Sequence, residues 1–389
     1  MKVLFANRSD CFSLKGGDTV QMLKTKEYIE KLFPDIEIKI VTTPEEILND
    51  NEAKIVHVFN IIRTTETLNF INAAKAKKKK VVLSTSFIKS VDASFINYIG
   101  RLGIYPFQVP YYIKILVIKF FNLLNYIIPV LKRKNRQALI DGLYTSNKHK
   151  KLGREILEKT DIILPNSDSE LDSLIKYYNK DIKEKSYIVP NAIEYYDIEN
   201  DNHKTFNQLI NISPGYILQV GRIETRKNQL NLIKALKNYH KEIPIVFLGK
   251  VKNIAYYNAI KKIANKRGNV YFIDEIPHEQ VGMIYKMAKV HVLPSFLETT
   301  GLVSLEAKFF GCEIVVSSED YCPVAYYKFD KIAYLCNPYS LKSIRQAVDH
   351  ALHDKKSILD DEYKDFFNYE NVAKLTRETY LKLFGGSDC

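Results

Sequence analysis

Short apolar runs alternate with longer segments of helical period along almost the whole chain. The runs are apolar at successive positions and rich in β-branched residues, which is typical of strands covered by helices on both faces. The first half contains such runs at 3–6, 36–41, 55–61, 80–87, 161–166 and 186–191. Between them, apolar residues recur every three or four positions, as in 19–32 and 65–76. This alternation predicts parallel βαβ units.

A polar, acidic stretch at 195–213 interrupts the alternation, which then begins again. The second series predicts strands at 216–220, 243–249, 269–273, 290–295, 313–317 and 331–336, and helices that include 226–239 and one opening near Thr300. We therefore predict an α/β fold of two Rossmann-like, doubly wound domains facing across a cleft. The predicted domains are 1–195 and 196–368, and 369–389 forms a crossover helix, which packs back towards the first domain, and a tail.

The segment PSFLETTGLVSLEAKFFG (294–311) carries the most informative chemistry. A strand ends at Pro-Ser, a helix is predicted to open near Thr300-Gly301, and its first free N–H groups form an anion site. Glu298 flanks that site on one side, and Glu306 lies roughly 8 Å along the helix. The two carboxylates can accept hydrogen bonds from a sugar and a ribose, with a diphosphate between them. As a pair of acids alone, they can equally be solvated charges at a helix start.

A second segment, LQVGRIETRKNQLNLIKAL (218–236), places a glycine turn at Gly221 between a strand and a helix. Arg222 lies in the turn, and Arg226 and Lys227 are predicted in the first helical turn. Cations there oppose the helix dipole, which indicates a bound anion. Arg222 can offer a bidentate fork and Lys227 a point charge to a diphosphate.

A third segment, LKGGDTVQML (14–23), brings Gly16 and Gly17 directly before a helix. Asp18 and Gln21 have capping-box spacing, so the pattern predicts a well-defined helix start. The two glycines let backbone amides approach an anionic ligand, although a simple glycine turn explains them equally well.

Together these segments and VPNAI (189–193) resemble the retaining glycosyltransferases of family 4, of the bacterial glycan-assembly type, which have the GT-B fold. The resemblance covers both predicted domains in order. It implies a metal-independent hexosyl- or N-acetylhexosaminyltransferase that uses a nucleotide-sugar, with UDP favoured over GDP, and no cofactor. The family often has a histidine where this chain has Ser86.

The resemblance also implies roles for individual residues. Arg222 and Lys227 neutralise the departing diphosphate, helped by the backbone at Thr299, Thr300, Gly301 and Leu302, while Gly16 and Gly17 approach the donor from the first domain. Glu306 binds the ribose and Glu298 the donor sugar, so Glu298, Arg222 and Lys227 are the expected catalytic residues. No metal ligands are expected.

The charge and the cysteine content of the chain limit its expected partners and cellular location. The 57 Lys and Arg exceed the 45 Asp and Glu by 12, which suits nucleic acid, an anionic membrane or acidic substrates. No nucleic-acid motif accompanies this excess, so we expect no nucleic-acid partner. The five cysteines form no CxxC pair, and the N-terminus lacks a signal-peptide pattern, so we expect a reducing cytoplasmic location.

Most of the positive charge is local, because residues 105–155 contain ten Lys and Arg against two acids. This predicted insertion also contains the apolar stretch 111–131, in which Lys114, Lys119 and two asparagines share one side of a helix. Such a helix suits the membrane interface, with KRKNR (132–136) drawn to anionic headgroups on the inner face. The alternative is a helix pair that covers the core of the first domain.

We therefore predict transfer of a sugar to a glycan, lipid-linked or protein acceptor at or near the cytoplasmic membrane face, in polysaccharide or glycoconjugate biosynthesis. Two alternatives stay open. A sugar-nucleotide epimerase of the same fold would need no acceptor, and a catalytically silent subunit would bind glycans or a partner enzyme.

Overall fold

The computed structural model of the chain describes residues 1–13, 16–87, 95–96, 99, 110, 112–114, 116–121, 147–196 and 212–385. These belong to two compact units. The first unit comprises Met1–Ser90, Lys119–Ala192 and Glu362–Cys389, and the second comprises Val91–Ile118 and Ile193–Asp361. Each unit is described by itself below.

The described residues contain eleven strands, divided between two parallel sheets. They are β1 (Lys2–Ala6), β2 (Glu37–Val41), β3 (Ile55–Phe59), β4 (Lys80–Ser84), β5 (Ile162–Leu164), β6 (Tyr216–Val220), β7 (Ile245–Leu248), β8 (Val270–Ile273), β9 (Ala288–Leu293), β10 (Glu313–Ser317) and β11 (Tyr334–Cys336).

The α-helices surround these sheets, as the alternating pattern predicts. They are α1 (Gly17–Leu32), α2 (Pro44–Asn49), α3 (Thr64–Ala76), α4 (Asn147–Lys159), α5 (Asp168–Tyr178), α6 (Gln229–Ala235), α7 (Ile254–Arg267), α8 (His278–Met287), α9 (Leu302–Phe309), α10 (Phe329–Ile332), α11 (Leu341–His353), α12 (Asp361–Phe366) and α13 (Tyr369–Lys382). The described residues also include two 3-10 turns, Lys183–Lys185 and Thr225–Lys227.

The first unit has a five-stranded sheet of order β2-β1-β3-β4-β5. Successive residues of a strand point to opposite faces, so β1 supplies both cores of this unit. Val3 and Phe5 pack with Met22 of α1 and Tyr380 of α13, whereas Leu4 packs on the opposite face with the other helices. The final helix α13 therefore lies on the first unit beside α1, which confirms the prediction that it packs back towards the N-terminal domain.

A buried hydrogen-bonded chain ties α13 to this sheet. The Nδ1 of His57 lies 2.7 Å from the Tyr380 hydroxyl, and its Nε2 lies 2.8 Å from Ser84 Oγ. Burial lowers the pKa of His57 to about 3, so the ring is neutral near pH 7. His57 is thus a satisfied core histidine.

The second unit has a six-stranded sheet of order β11-β10-β9-β6-β7-β8. Counted from β6 as the unit's first strand, this is the Rossmann order, in which the direction of winding changes between β6 and β9. Ligands of such sheets bind beyond the carboxyl ends of the strands at that point of change. The two sheets confirm the predicted fold of two Rossmann-like domains.

Three local predictions are wrong. Residues 186–191 form no strand, because the segment makes a single bridge between Ser186 and Ile163. The helix predicted at 226–239 is α6, which begins after a 3-10 turn. The strand predicted at 331–336 is reduced to β11, because α10 extends to Ile332. By contrast, the helix predicted near Thr300-Gly301 is present as α9, with Gly301 as its N-cap.

The capping box predicted for α1 is also absent. Gly16 is the N-cap, and the helix has no side-chain cap. Asp18 instead pairs with Arg8 Nε at 3.1 Å, and Gln21 hydrogen-bonds to the Ala192 carbonyl and the Tyr369 hydroxyl. A charged partner from β1 and a distant helix thus override the local motif.

Part of the predicted interfacial stretch 111–131 is described, and residues 112–114 and 116–121 are helical. Tyr112, Leu116 and Phe120, at four-residue spacing, are exposed, whereas Ile118 is buried. The basic run 132–136 lies outside the described residues. None of the described helices is both long enough and apolar enough to cross a bilayer.

Candidate active site in the second unit

The carboxyl ends of β6 and β9 meet at the point where the winding of the second sheet changes. The two strands are paired, with Leu218 opposite His291. The chain leaves β6 through Gly221 and Arg222 into the turn Thr225–Lys227, and it leaves β9 through Pro294 towards Glu298. Residues that are about 70 positions apart in the sequence are therefore brought together at the edge where ligands of this fold bind.

Lys227 and Glu298 form a buried ion pair at this edge. Lys227 Nζ lies 2.7 Å from Glu298 Oε1, and their side chains are 11% and 7% exposed. Burial by itself raises the pKa of Glu298, but the charges of Lys227 and Arg226 outweigh it and lower this pKa to about 2. Burial lowers the pKa of Lys227, against the opposing effect of Glu298. Glu298 is therefore ionised at neutral pH.

Arg226 joins the two loops. Its Nη1 donates to the Leu297 carbonyl at 2.8 Å and lies 3.4 Å from Glu298 Oε1, and its own carbonyl accepts from Phe296 N at 2.9 Å. Its Nε and Nη2 both donate to Glu224 Oε1, at 3.2 and 3.1 Å. The turn after β6 and the loop after β9 are thereby fixed to each other.

The left-handed conformation of Asn228 separates this turn from α6. Its φ of +61° is uncommon for a residue other than glycine, although asparagine tolerates it best. The side-chain amide donates to the carbonyls of Pro294 and Pro338 at 2.8 and 2.9 Å. Arg226 and Lys227 consequently belong to a separate 3-10 turn and not to the first turn of α6, which corrects the prediction.

Gly221 makes the close approach of the turn possible. Its φ is +138°, and its carbonyl oxygen lies 2.5 Å from where a Cβ on Gly249 would be. The backbones of the loops after β6 and β7 therefore touch, and a side chain on Gly249 would force them apart. This holds the turn against the sheet and places Lys227 beside Gly221.

Polar side chains crowd the interior of the same segment. The amide of Gln219 donates to the Lys227 carbonyl, and that of Gln229 donates to the Arg222 carbonyl. Among the described residues, the buried polar atoms without a hydrogen-bond partner include Gln219 Oε1, Thr225 Oγ1, Asn228 Oδ1 and Gln229 Oε1. Unpaired buried polar atoms cost free energy, and they are concentrated where water or a polar ligand completes a site.

The loop after β9 leads into α9. Gly301 is its N-cap with a φ of +82°, and Thr300 before it is buried, with its hydroxyl 3.4 Å from the Tyr327 hydroxyl. Glu298 N donates to the Tyr321 carbonyl at 2.7 Å, which fixes the loop at its other end. Three residues, 299–301, separate Glu298 from the first residue of α9, so the free N–H groups of the helix start lie shortly after Glu298 in the chain, as the sequence predicts.

Glu306 lies one turn inside α9, where it accepts a hydrogen bond from the Tyr285 hydroxyl at 3.1 Å. His291 is buried on β9 with Nδ1 3.4 Å from Ser304 Oγ, and its ring contacts that of Tyr285, the partner of Glu306. Burial and the charge of Lys227 lower the pKa of His291 to about 3. The ring is therefore neutral at physiological pH.

Arg222 differs from the other cations of the site because its side chain is half exposed, at 49%. Its Nη2 lies 3.5 Å from Glu224 Oε1, the oxygen that also binds Arg226. Arg222, Arg226 and Lys227 carry three positive charges against the two carboxylates of Glu224 and Glu298. These five groups therefore carry one net positive charge, and the carboxylate of Glu306 lies further along α9.

The glycine pair Gly16-Gly17 lies in the first unit, at the start of α1. A Cβ on Gly16 would lie 2.6 Å from Asp18 Oδ1, whereas Gly17 is open to solvent. The neighbouring Arg8 donates to both Asp18 and Asp10. The donor role of the two glycines stays a prediction.

Sequence reasoning missed the roles of Glu224 and His291, as well as the bridge that Arg226 makes. For Glu224 and Arg226 the available signal was the run Glu-Thr-Arg-Lys (224–227), which places an acid close to two bases in the turn after a strand. Within the part of the chain that the structure describes, no group of three or more His, Cys, Asp or Glu side chains is arranged to hold a metal ion.

Known proteins resemble this chain most clearly in the second unit. Residues 201–368 match the family model described as glycosyl transferases group 1. The matched segment is less than half of the chain, and it is similar to group 1 glycosyl transferases. It contains every candidate residue described above except the glycine pair of the first unit.

Two curated relatives share part of the chain. A D-inositol 3-phosphate glycosyltransferase of Corynebacterium glutamicum is 25% identical over 185 residues, which are 44% of each chain. The N-acetylgalactosamine-N,N'-diacetylbacillosaminyl-diphospho-undecaprenol 4-alpha-N-acetylgalactosaminyltransferase of Campylobacter jejuni is 35% identical over 92 residues, or 24% of each chain. The chain thus aligns with less than half the length of these relatives.

Solved structures resemble the chain over nearly its whole length. Anabaena Alr3699/HepE, solved in complex with UDP and glucose, has a TM-score of 0.68 at 12% identity and covers 98% of this chain and 100% of its own. Sucrose-phosphate synthase from Thermosynechococcus elongatus has a TM-score of 0.71 at 14% identity, with both chains fully covered. At such identities the likeness shows the fold, and the chain has the GT-B fold.

Proposed function

We propose that the protein is a glycosyltransferase that moves a sugar from a nucleotide-sugar to an acceptor, with the donor bound in the second unit. The observation that carries the proposal is the buried Lys227–Glu298 pair where the winding changes between β6 and β9, with the half-exposed Arg222 in the same turn. The cations of this turn and the N–H groups at the start of α9 suit the negative charge of a diphosphate. The group 1 domain match and the UDP bound by Anabaena HepE support the same proposal.

In this proposal Lys227 and Arg222 bind the diphosphate, together with the backbone N–H groups of Gly301 and Leu302. As the bond to the sugar breaks, negative charge grows on the diphosphate, and fixed cations in a partly buried site stabilise it. Glu298 accepts hydrogen bonds from the donor sugar and Glu306 from the ribose. The side chains therefore stabilise the leaving group without a metal ion.

A thermal-shift panel of UDP, GDP and their sugars tests donor binding. A ligand at 100 times its dissociation constant stabilises the folded protein by about 2.7 kcal/mol, which is easily measured. We expect UDP and at least one UDP-sugar to raise the melting temperature, with GDP weaker. If no nucleotide or nucleotide-sugar shifts the transition, the proposal is wrong.

The stereochemistry and the metal requirement are tested separately. We propose retention of the anomeric configuration and activity in the presence of EDTA. Proton NMR of the first product formed reports the configuration, and chelation followed by Mg²⁺ addition reports the metal requirement. Incubation with donor alone distinguishes the epimerase alternative, because an epimerase would form a new nucleotide-sugar isomer without any acceptor.

We further propose that the acceptor, a lipid-linked glycan, is met at the cytoplasmic membrane face, where the chain binds anionic lipid. Tyr112, Leu116 and Phe120 form an exposed apolar stripe, with exposures of 64%, 60% and 57%. Exposed Lys119 lies beside this stripe, and the sequence continues into the basic run 132–136. Apolar insertion combined with attraction to anionic headgroups is how interfacial helices bind.

Flotation with liposomes tests this part. The double variant Leu116→Asp and Phe120→Asp is expected to lose binding to vesicles that contain anionic lipid. Ile358→Asp is the matched control, because it removes an apolar side chain that is 83% exposed elsewhere. Unchanged flotation of the double variant would contradict membrane docking but leave donor binding untouched.

A further inference from the structure

Glu298 has two buried cationic partners, although one suffices to balance its charge. Both Lys227 Nζ and Arg226 Nη1 face the same oxygen, Oε1, at 2.7 and 3.4 Å. The three side chains are between 7% and 13% exposed. A second buried cation at one carboxylate oxygen is costly, because each cation must be desolvated. Glu224 balances the charge of Arg226, so what calls for a reason is that both cations face the same oxygen of Glu298.

The reason lies in what Lys227 must do, if the proposed function holds. To bind the diphosphate, its ammonium group must give its shortest contact to the donor and weaken its bond to Glu298. A buried carboxylate that loses its only counter-ion is strongly destabilised. The free energy lost at Glu298 would then offset much of the binding free energy that the new phosphate contact supplies.

Arg226 is placed to prevent that cost. Its guanidinium is held by the Leu297 carbonyl and by Glu224, neither of which has to move when Lys227 turns. Burial lowers the pKa of Arg226, but Glu298 and Glu224 outweigh this effect, so the side chain stays charged. The planar fork lets one side chain serve both loops at once, which a lysine cannot do.

We propose that Arg226 is a positioning residue that keeps Glu298 ionised and in place while Lys227 transfers from Glu298 to the diphosphate of the donor. Arg226 is the permanent counter-ion and Lys227 the transferable one. Without Arg226, Lys227 becomes the sole partner of Glu298 and is held back from the donor. Lys227 is then present but not available to bind the diphosphate.

Calorimetry with UDP tests these separate roles of Arg226 and Lys227. We expect Arg226→Gln to weaken UDP binding about tenfold or more, which corresponds to at least about 1.4 kcal/mol. The decisive variant is the double substitution Arg226→Gln with Glu298→Gln. Removing the charge of Glu298 releases Lys227, so the double variant is expected to bind UDP better than Arg226→Gln alone. If Arg226→Gln weakened UDP binding only by disrupting the structure, the double variant would bind UDP equally weakly or more weakly.

Arg267→Gln is the matched control. Arg267 is equally buried in the second unit, and its guanidinium donates to the backbone carbonyls of Leu236 and His240. It is expected to lower the melting temperature without changing UDP affinity in the protein that remains folded. Should Arg226→Gln not fold, Arg226→Lys gives the same test with a smaller loss, because the charge is kept but the fork is lost.

The pH dependence of UDP binding distinguishes a positioning role of Arg226 from a purely structural one. With UDP bound to Arg226→Gln, Glu298 lacks a counter-ion, its pKa rises, and binding takes up a proton. UDP affinity relative to wild type is therefore expected to improve as the pH falls from 8 to 5.5. The groups facing Glu298 from the turn and its own loop are Arg226, Lys227 and Ser295, with Glu224 behind Arg226.

The outcomes separate this inference from the proposed function on which it rests. If wild type binds UDP and Lys227→Met does not, while Arg226→Gln binds normally at every pH, the role of Arg226 is wrong and the proposed function stands. A double variant no better than Arg226→Gln also overturns the inference. If wild type fails to bind any nucleotide, the proposed function itself fails.

Discussion

Each unit of the protein contains a buried lysine–carboxylate pair, and the two pairs differ in what surrounds them. In the first unit, Lys79 Nζ lies 2.9 Å from Asp50 Oδ1, with side chains 4% and 6% exposed. In the second unit, Lys227 Nζ lies 2.7 Å from Glu298 Oε1, with similar burial. Length, charge and burial are nearly the same in both pairs.

Their positions in the sheets are opposite. Lys79 directly precedes β4, so its pair lies at the amino ends of the strands, whereas Lys227 and Glu298 follow the carboxyl ends of β6 and β9. Lys79 also donates to the Ala53 carbonyl, and Asp50 accepts from Ala53 N and Glu52 N. Asp50 also lies 3.7 Å from Lys2 Nζ of β1, whose side chain is 22% exposed, so hydrogen bonds and a partly exposed second cation complete the first pair.

The second pair lies at the carboxyl ends of the strands, beside buried polar atoms without partners, and its second cation, Arg226, is itself buried. We therefore take the sheet edge and the unpaired polar atoms as what indicates a ligand site at the second pair. We interpret Lys79–Asp50 as a structural pair and Lys227–Glu298 as the donor site. The predictions below test this contrast.

The largest expected difference is in catalysis. Lys227→Met removes a fixed charge that stabilises the leaving diphosphate, so the transfer rate should fall by about 100- to 1,000-fold. Lys79→Met should leave the rate per folded molecule unchanged. Initial rates with a UDP-sugar donor measure both variants, and equal losses would remove the contrast between the pairs.

Stability should show the reverse order. Lys79→Met leaves Asp50 with only the more exposed Lys2, 3.7 Å away, which costs about 3 kcal/mol of the free energy of unfolding. Lys227→Met should cost less, because the more buried Arg226 remains 3.4 Å from Glu298. Urea denaturation measures the two variants, and a larger loss for Lys227→Met would contradict the role given to Arg226.

A smaller effect is expected at Glu306, further along α9 from the pair. If Glu306 accepts hydrogen bonds from the ribose, Glu306→Gln should weaken UDP binding by about tenfold, since hydrogen bonds to charged groups contribute about 1.5–3 kcal/mol. The variant should also lose the preference for UDP over 2′-deoxy-UDP. Calorimetry with both nucleotides checks this, and a preference that persists in the variant would place the ribose elsewhere.

The smallest expected effect is a change in stability at acidic pH. The pKa of Glu298 is about 2 in the folded protein, below its usual 4.5, so the ionised carboxylate stabilises the fold above about pH 4.5. That stabilisation is lost as the pH falls towards 2. The stability difference between wild type and Glu298→Gln should therefore shrink from pH 6 to pH 3. A difference that is constant over this range would show that Glu298 is not held ionised.

Much of this site could be predicted from local patterns, because its members follow strand ends. The spacing of Glu298 and Glu306 around a helix start, and the Arg222 and Lys227 run after Gly221, both depend on short-range geometry. The contact between Lys227 and Glu298 could not be predicted in this way. It depends on β6 and β9 being neighbours, and strand order is a property of the whole sheet.

The wrong local predictions have the same origin. Asp18 has the spacing of a helix cap, but Arg8 at the end of β1 draws its carboxylate away. The apolar run at 186–191 has the composition of a strand, but apart from one bridge it finds no ladder at the edge of the first sheet. In the first place a partner distant in sequence is present, in the second it is missing, and in both this decides the local structure.

A crystal structure of the protein with UDP tests the central claim most directly. We predict the diphosphate at the carboxyl ends of β6 and β9, within hydrogen-bond distance of Lys227 Nζ and the backbone N–H groups at the start of α9. The distance from Lys227 Nζ to Glu298 should be longer than 2.7 Å, while Arg226 stays in contact with Glu298. A diphosphate bound elsewhere, with the Lys227–Glu298 pair unchanged, would contradict the account.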